Sequence, residues 1–266
     1  MNLFDLRGTQ TVQEKLICMI LGSIVILGVW SYITYSGFIP NSILPPPWKV
    51  LTAFKELHYD DALLRNAGFS FKLNVLGCLE ATLIAIPIGF LIGLFPIFKS
   101  AFAPYISALR FLPLTAVIGL FVCWFGIYST MKVQFLSFAI FLYLLPTIIQ
   151  RIDEVDEVYL QTVFTLGATK LQQITSVFIP AVFAKLLDDL RILTALSWTY
   201  IVVAEMINTA DGGIGALTYI VGRQARIDKV FALLITIILI GLIQDKLLAW
   251  LDRFLFAHKY ATKEGG

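Results

Sequence analysis

Two glutamates stand inside long apolar runs, and they are the first residues in this chain whose type and setting could do chemistry. Glu80 lies within Leu73–Phe95 and Glu205 within Leu187–Ile207. An ionisable group in a membrane-spanning helix is costly unless it faces protein or water, so each is a candidate for lining a polar path. Glu205 could hold a neighbouring arginine that attracts an anion, or it could make a structural hydrogen bond to another helix or to Asn208. Glu80 has no partner at helical spacing, and a structural pairing with another helix is the favoured reading. Arg223 and Arg226 flank the loop before the last apolar run. They could concentrate an anion at an entrance, although solvated loop charges or a contact with a soluble protein explain them more simply.

Other chemistry is poorly supported. Cys18, Cys78 and Cys123 sit in apolar segments without CxxC spacing and are expected as small buried hydrophobes. His58 and His258 are isolated, which argues against a metal site. Asp211-Gly212-Gly213-Ile214-Gly215 superficially suggests a phosphate loop. No strand pattern precedes it and no Lys-Ser/Thr follows, so tight turns and close helix contact are the better reading. No nucleophile–base pair and no GxxxxGK[ST] occur, so the chain is expected to catalyse no reaction and to hold no cofactor.

The elements that must position these residues follow from composition. Of the 266 residues, 58% are apolar and only 14% charged, against roughly 25% charged in soluble domains. An integral membrane protein is implied, and its spanning runs must be helical because lipid offers the backbone no partners. The formal charge of +2 and the lack of a Lys/Arg block give no sign of nucleic-acid binding. We expect an all-α, polytopic protein with about six spans in a single membrane domain over residues 1–266. The spans are Leu16–Ser36, Leu73–Phe95, Tyr105–Phe125 interrupted by Pro113, Lys132–Gln150, Leu187–Ile207 and Val230–Leu251. Pro87 and Gly89 should kink the second. Between Trp48 and Lys72, Val50, Leu51, Phe54 and Leu57 recur at helical spacing, which predicts an amphipathic helix at the membrane surface. The Lys/Arg bias favours cytoplasmic termini, counting Arg7 and Lys263 on that side, and puts the loop of about residues 152–180 in the cytoplasm.

That loop is the most informative segment. Ile152, Val155, Tyr159, Val163 and Leu166 share a helical face, and acidic residues crowd its first turns, where the helix dipole favours them. Gly167 permits a backbone angle closed to other residues. Leu171, Ile174 and Phe178 resume an apolar face, and Pro180 is expected to end the second helix. The product should be a helix–turn–helix with one face packed on the bundle and the other free to dock.

Here the chain resembles a known family. Gln161-Thr162-Val163, then Gly167, then Val177-Phe178-Ile179-Pro180 is similar to the EAA loop of ABC importer permeases, with Gln161 where the pattern has Glu. Leu44-Pro45-Pro46-Pro47, Ile86-Pro87-Ile88-Gly89, Trp124-Phe125-Gly126-Ile127, Asp189-Leu190-Arg191, Val203-Ala204-Glu205-Met206 and Gly213-Ile214-Gly215 resemble the nitrate/sulfonate/taurine (bicarbonate) subgroup, in family order. Asp188-Asp189 and Glu80 depart from it. The resemblance implies a type I importer permease fold and a substrate-translocating subunit for a small, anionic solute. It implies docking on an ABC ATPase through Thr165, Leu166, Gly167, Ala168, Thr169, Lys170, Leu171 and Gln172, with ATP and Mg held by that partner. A soluble or lipid-anchored substrate-binding protein, a homodimer and the lipid of a bacterial cytoplasmic (inner) membrane complete the implied setting. Candidates for the translocation path are Glu205, Glu80 and Arg223. The alternative is an ion-coupled secondary transporter or channel that needs no ATPase.

Overall fold

The structure is a computed structural model that describes residues 11–256 and 259. The expectations placed on Arg7, His258 and Lys263 lie outside the described residues. Every regular element described is helical. Among the described residues, five helices are long and apolar enough to cross a membrane, or up to six if a bent pair counts as one span.

Among the described residues, 11–61 together with Val221–Ala232 form one compact unit. Its α1, Val12–Tyr35, opens on a reciprocal capping box between Thr11 and Glu14 and presents apolar side chains all round, as a lipid-facing span does. Trp30 fixes its far end by donating Nε1–H to the Pro45 carbonyl at 3.0 Å and lying 5.8 Å from the Phe231 ring. Pro46 and Pro47 stop the preceding chain and start α2, Pro47–Tyr59, where a missing N–H costs nothing. The buried stripe of α2 is Val50, Ala53 and Leu57, whereas Leu51 is exposed, so the apolar face is rotated from the expected one. The same helix carries Glu56 into an ionic cluster. Arg226 donates to Glu56 at 2.6 Å and to Asp228, and Lys229 donates to Asp61 at 2.6 Å. The Arg226 guanidinium beside Glu56 holds that carboxyl below its ordinary range.

The second unit is Ala62–Ile220 with the described residues from Leu233 onward. Its first helix, α3 (Leu63–Leu94), starts ten residues before the expected span, because Ala62 at φ 50° breaks the chain cleanly from α2. The expected single surface helix to Lys72 is therefore two elements. α3 runs on as one helix through Pro87. Gly89 serves contact: a Cβ there would lie 2.7 Å from Ile148. Gly77 plays the same part against Leu136, so α3 and α6 (Ser129–Asp153) can pack backbone-close. α6 is the most deeply buried span, with Met131, Phe135, Leu136, Ile140, Leu144 and Ile148 almost wholly enclosed.

The expected third span is not one straight helix. α4 (Pro96–Leu109) and α5 (Leu114–Phe125) meet at 102°, and Pro113 sits at the break as the cap residue of α5. Proline supplies no N–H to continue α4, so the chain turns there. α5 packs Leu114 and Phe121 into a cluster with Met131, Phe135 and Ala204. After the short helices α7 (Glu157–Thr165) and α8 (Lys170–Gln173), a π-helical turn at Ile174–Phe178 leads directly into α9, Ile179–Ile207. Pro180 thus opens a long helix instead of closing a short one, since the first turn needs no donor there. α10 (Ile214–Arg223) and α11 (Ile227–Leu255) complete the chain. Cys18 and Cys123 are exposed and Cys78 is half-buried, so the cysteines are not the enclosed core residues expected. In a bundle surrounded by hydrocarbon, small apolar side chains gain as much outside as inside.

Candidate functional site

The segment from Asp153 to Gln172 is built from local signals. Asp156 caps α7 by accepting the Val158 N–H at 2.9 Å. At the other end Gly167 takes φ +78°; its N–H donates to Phe164 O at 2.9 Å and the Ala168 N–H to Val163 O at 3.0 Å. These two reversed bonds close the helix with a left-handed residue. Thr169 and Gln172 then cap α8 reciprocally. The elbow is thereby rigid in its backbone yet bare in its side chains: Leu166 is 80% exposed and Phe164 and Leu171 each 70%. No residue of α7 is buried. The expected face packed on the bundle is instead the wall of a cleft of about 500 Å³ between Tyr159 and Val163 on one side and Val177 and Ala181 on the other.

Ion pairs tie the elbow's root. Arg151 donates Nε–H and Nη2–H to Asp189 at 2.8 and 2.7 Å, and Nη1–H to Glu154 at 2.6 Å. Lys185 reaches Glu154 at 3.1 Å, and Lys99 of α4 reaches Asp153 at 2.5 Å. The hydrogen bond from Arg151, then those from Lys185 and Gln150, pull the Glu154 carboxyl down to about 2. Asp189 therefore has a partner that its sequence neighbours did not reveal. Asp188 and Asp252 engage Lys259, and Arg191 grips Asp245 of α11.

Glu205 is fully buried at the end of α9. Its Oε1 accepts from Ser70 Oγ at 2.6 Å and its Oε2 from the Gly215 N–H at 2.8 Å, while Ser70 Oγ accepts from the Ile214 N–H at 2.8 Å. The glycine turn thus does receive an anion at a helix start, and the anion is an internal carboxylate. Gly213, at φ +109°, has no room for a Cβ beside that carboxylate, and at Gly215 a Cβ would lie 2.3 Å from Val202 O. Nearby, Lys132 is wholly buried, with its Nζ donating to Asn208 O at 3.1 Å and lying 3.3 Å from Asp211. Sequence reading places Lys132 only as the first residue of an expected span; nothing local in the sequence pairs it with Asp211. Asn74, Ser197, Gln244 and Trp198 form a further buried network across α3, α9 and α11. Glu80 accepts from Gln134 at 2.7 Å, and Arg223 is exposed at the end of α10. The structure does not bring Arg226 free to an entrance, since Glu56 and Asp228 hold it.

Residues 85–256, which take in α5, α6, the elbow, α9 and the Glu205 turn, match the family model of binding-protein-dependent transport system inner membrane components. The chain belongs to that family. It is a permease subunit of the ABC importer type, and the match sets it apart from ion-coupled carriers and channels. The permease is 29% identical over 234 residues to the taurine transport system permease protein TauC of Escherichia coli K12, covering 86% of this chain and 85% of the relative. It is 27% identical over 229 residues to the putative aliphatic sulfonates transport permease protein SsuC of Bacillus subtilis, covering 86% and 83%. It is 28% identical over 250 residues to the nitrate import permease protein NrtB of Synechococcus elongatus, covering 86% of each. An inward-facing form of the MetNI methionine ABC transporter shares the fold of the permease, with TM-score 0.57 at 14% identity, over 74% of this chain and 95% of that one.

Proposed function

We propose that this permease forms the translocation path of an ATP-driven importer for a small anionic solute of the nitrate, bicarbonate, sulfonate or taurine class. Two copies pair in a bacterial inner membrane with their termini in the cytoplasm. Each elbow docks on an ATPase subunit that holds the ATP and Mg, and a binding protein delivers solute from the other side. The reading is carried by one observation: a backbone-rigid elbow that exposes Phe164, Leu166 and Leu171. Three bare apolar side chains on a capped turn form an anchor for a pocket on a partner. The relatives named for taurine, sulfonate and nitrate support the solute class.

The test is reconstitution of the permease with its ATPase and binding protein in liposomes. ATP-dependent uptake is expected, and Leu166→Asp together with Leu171→Asp should release the ATPase from the membrane while the permease stays folded. Uptake by the permease alone, or an ATPase still bound to the double variant, would refute the docking role.

A further inference from the structure

The cavity beside Glu80 has the chemistry of a cation site. Glu80 is half-buried on α3, and it accepts a hydrogen bond from the neutral amide of Gln134 on α6. Among the described residues no lysine or arginine forms an ion pair with it. Glu80 and Gln134 open onto a cavity of about 310 Å³ that is also lined by Phe121, Trp124, Phe125 and Phe138. These rings form a cluster around Phe121, whose centroid lies 5.6 Å from Trp124, 5.9 Å from Phe125 and 5.4 Å from Phe138. Trp124 remains 66% exposed.

A carboxylate inside a spanning helix cannot face hydrocarbon cheaply, so this cavity must open to water or to protein. Gln134 occupies one oxygen, and an ionised carboxylate offers about four acceptor positions in all. Aromatic faces carry negative electrostatic potential and attract cations, the more so when alkyl groups on nitrogen desolvate easily. A bare anion entering here would meet a like charge and electron-rich rings. An ammonium group would meet a countercharge at one end and aromatic rings at the other.

We propose that this cavity receives the ammonium group of the transported solute, so that the solute is an aminated anion, a zwitterion, and not a simple inorganic anion. Glu80 supplies the countercharge, Gln134 holds the carboxylate toward the opening, and Phe121 with Trp124 takes the carbon-bound hydrogens next to nitrogen. The inference rests on the importer reading and narrows its solute class. The cavity sits at the small end of the roughly 300–1,000 Å³ common for ligand sites, which suits a solute of few heavy atoms.

The permease–ATPase complex, purified without binding protein, is titrated with taurine, ethylammonium and ethanesulfonate while tryptophan fluorescence is followed. Taurine and ethylammonium should change the signal through Trp124, with the change lost in Trp124→Phe, and ethanesulfonate should leave it flat. Glu80→Gln should weaken both amines at least tenfold, and Glu80→Asp should restore part of that loss. Equal responses to ethanesulfonate and the amines, no response to either amine, or an E80Q affinity within twofold of the original each overturn the site. ATP-driven uptake of nitrate or ethanesulfonate by the full importer beside silent amine titrations would remove the site and leave the importer reading standing. Amine binding without ATP-driven uptake of any solute would do the reverse.

Discussion

Arg151 and Asp189 meet through two parallel hydrogen bonds of 2.8 and 2.7 Å, joining the last turn of α6 to the body of α9 across the root of the elbow. The planar guanidinium matches a carboxylate in this way and a lysine cannot. The pair is only partly shielded, with side-chain exposures of 26% and 10%. A double-mutant cycle on Arg151→Ala and Asp189→Ala should give a coupling free energy of about 1–3 kcal/mol, read from thermal unfolding in detergent. Arg151→Lys should behave more like the alanine variant than like the parent. If α6 and α9 move the elbow as one piece, transport per ATP hydrolysed should fall in these variants more than ATPase binding does. Additive effects on unfolding would show that the pair carries no mutual energy.

Glu154 gives the same root a defined pH response. Its carboxyl is pulled from the ordinary 4.5 to about 2 by the hydrogen bond of Arg151 first, then those of Lys185 and Gln150. A depressed carboxyl stabilises the folded form fully above its unfolded value and loses that contribution as pH falls through the folded one. The tie should therefore be constant at neutral pH and should loosen only between about 4.5 and about 2. Unfolding midpoints measured down this range should drop more steeply for the parent than for Glu154→Gln, which lacks the tie throughout. Identical pH curves for the two would contradict the assignment.

Gly167 tests whether elbow shape matters apart from elbow contacts. A Cβ there meets nothing within 4 Å, so substitution is opposed by backbone conformation alone. At φ +78° an L-residue costs roughly 1–2 kcal/mol, and a β-branched one more. Gly167→Val should leave the amount of folded permease unchanged and should sharply reduce ATP-driven uptake, with Gly167→Ala intermediate and Gly167→Asn nearest the parent. Thr169→Ala, which removes the cap of α8, should cost about 1 kcal/mol locally and give a smaller defect. Uptake by Gly167→Val at the parent rate would show that the left-handed turn is dispensable.

Much of this architecture was legible in the residues because lipid leaves helices few ways to hide. The runs that became α1, α6 and α11 are continuous and apolar, and their expected ends fall within a few residues of the observed ones. The turn of the elbow was legible for a different reason, since Gly167 is a local stop signal, whereas the cap of Thr169 and Gln172 on α8 came only with the structure. Misreadings came where one residue type serves two opposite purposes. Pro180 reads as a terminator in sequence but sits where a helix begins, and Arg65, Asn66 and Lys72 give the first turns of α3 the polarity of a surface stretch. The buried polar contacts were illegible for want of any local pattern. Asn74 and Gln244 are 170 residues apart, and Lys132 finds Asp211 only once α6 and the turn before α10 are assembled.

The turn that follows α9 yields the sharpest contrast between a side chain and a backbone. Glu205→Gln keeps one acceptor oxygen and could still serve either Ser70 or the Gly215 N–H, so its cost should be about 1–3 kcal/mol for the donor left unpaired. Glu205→Ala strands both donors in a buried site and should cost more. Gly215→Ala changes no charge, yet its Cβ would press to 2.3 Å from the Val202 carbonyl, a backbone atom that cannot swing aside. Separation of α9 from α10 is then the only relief, and it breaks the carboxylate's bond to Gly215 as well. Gly215→Ala should therefore lower the thermal midpoint of the purified permease at least as far as Glu205→Ala, and the double variant should add little to either. Strict additivity of the two would mean that the glycine and the glutamate do not act as one joint.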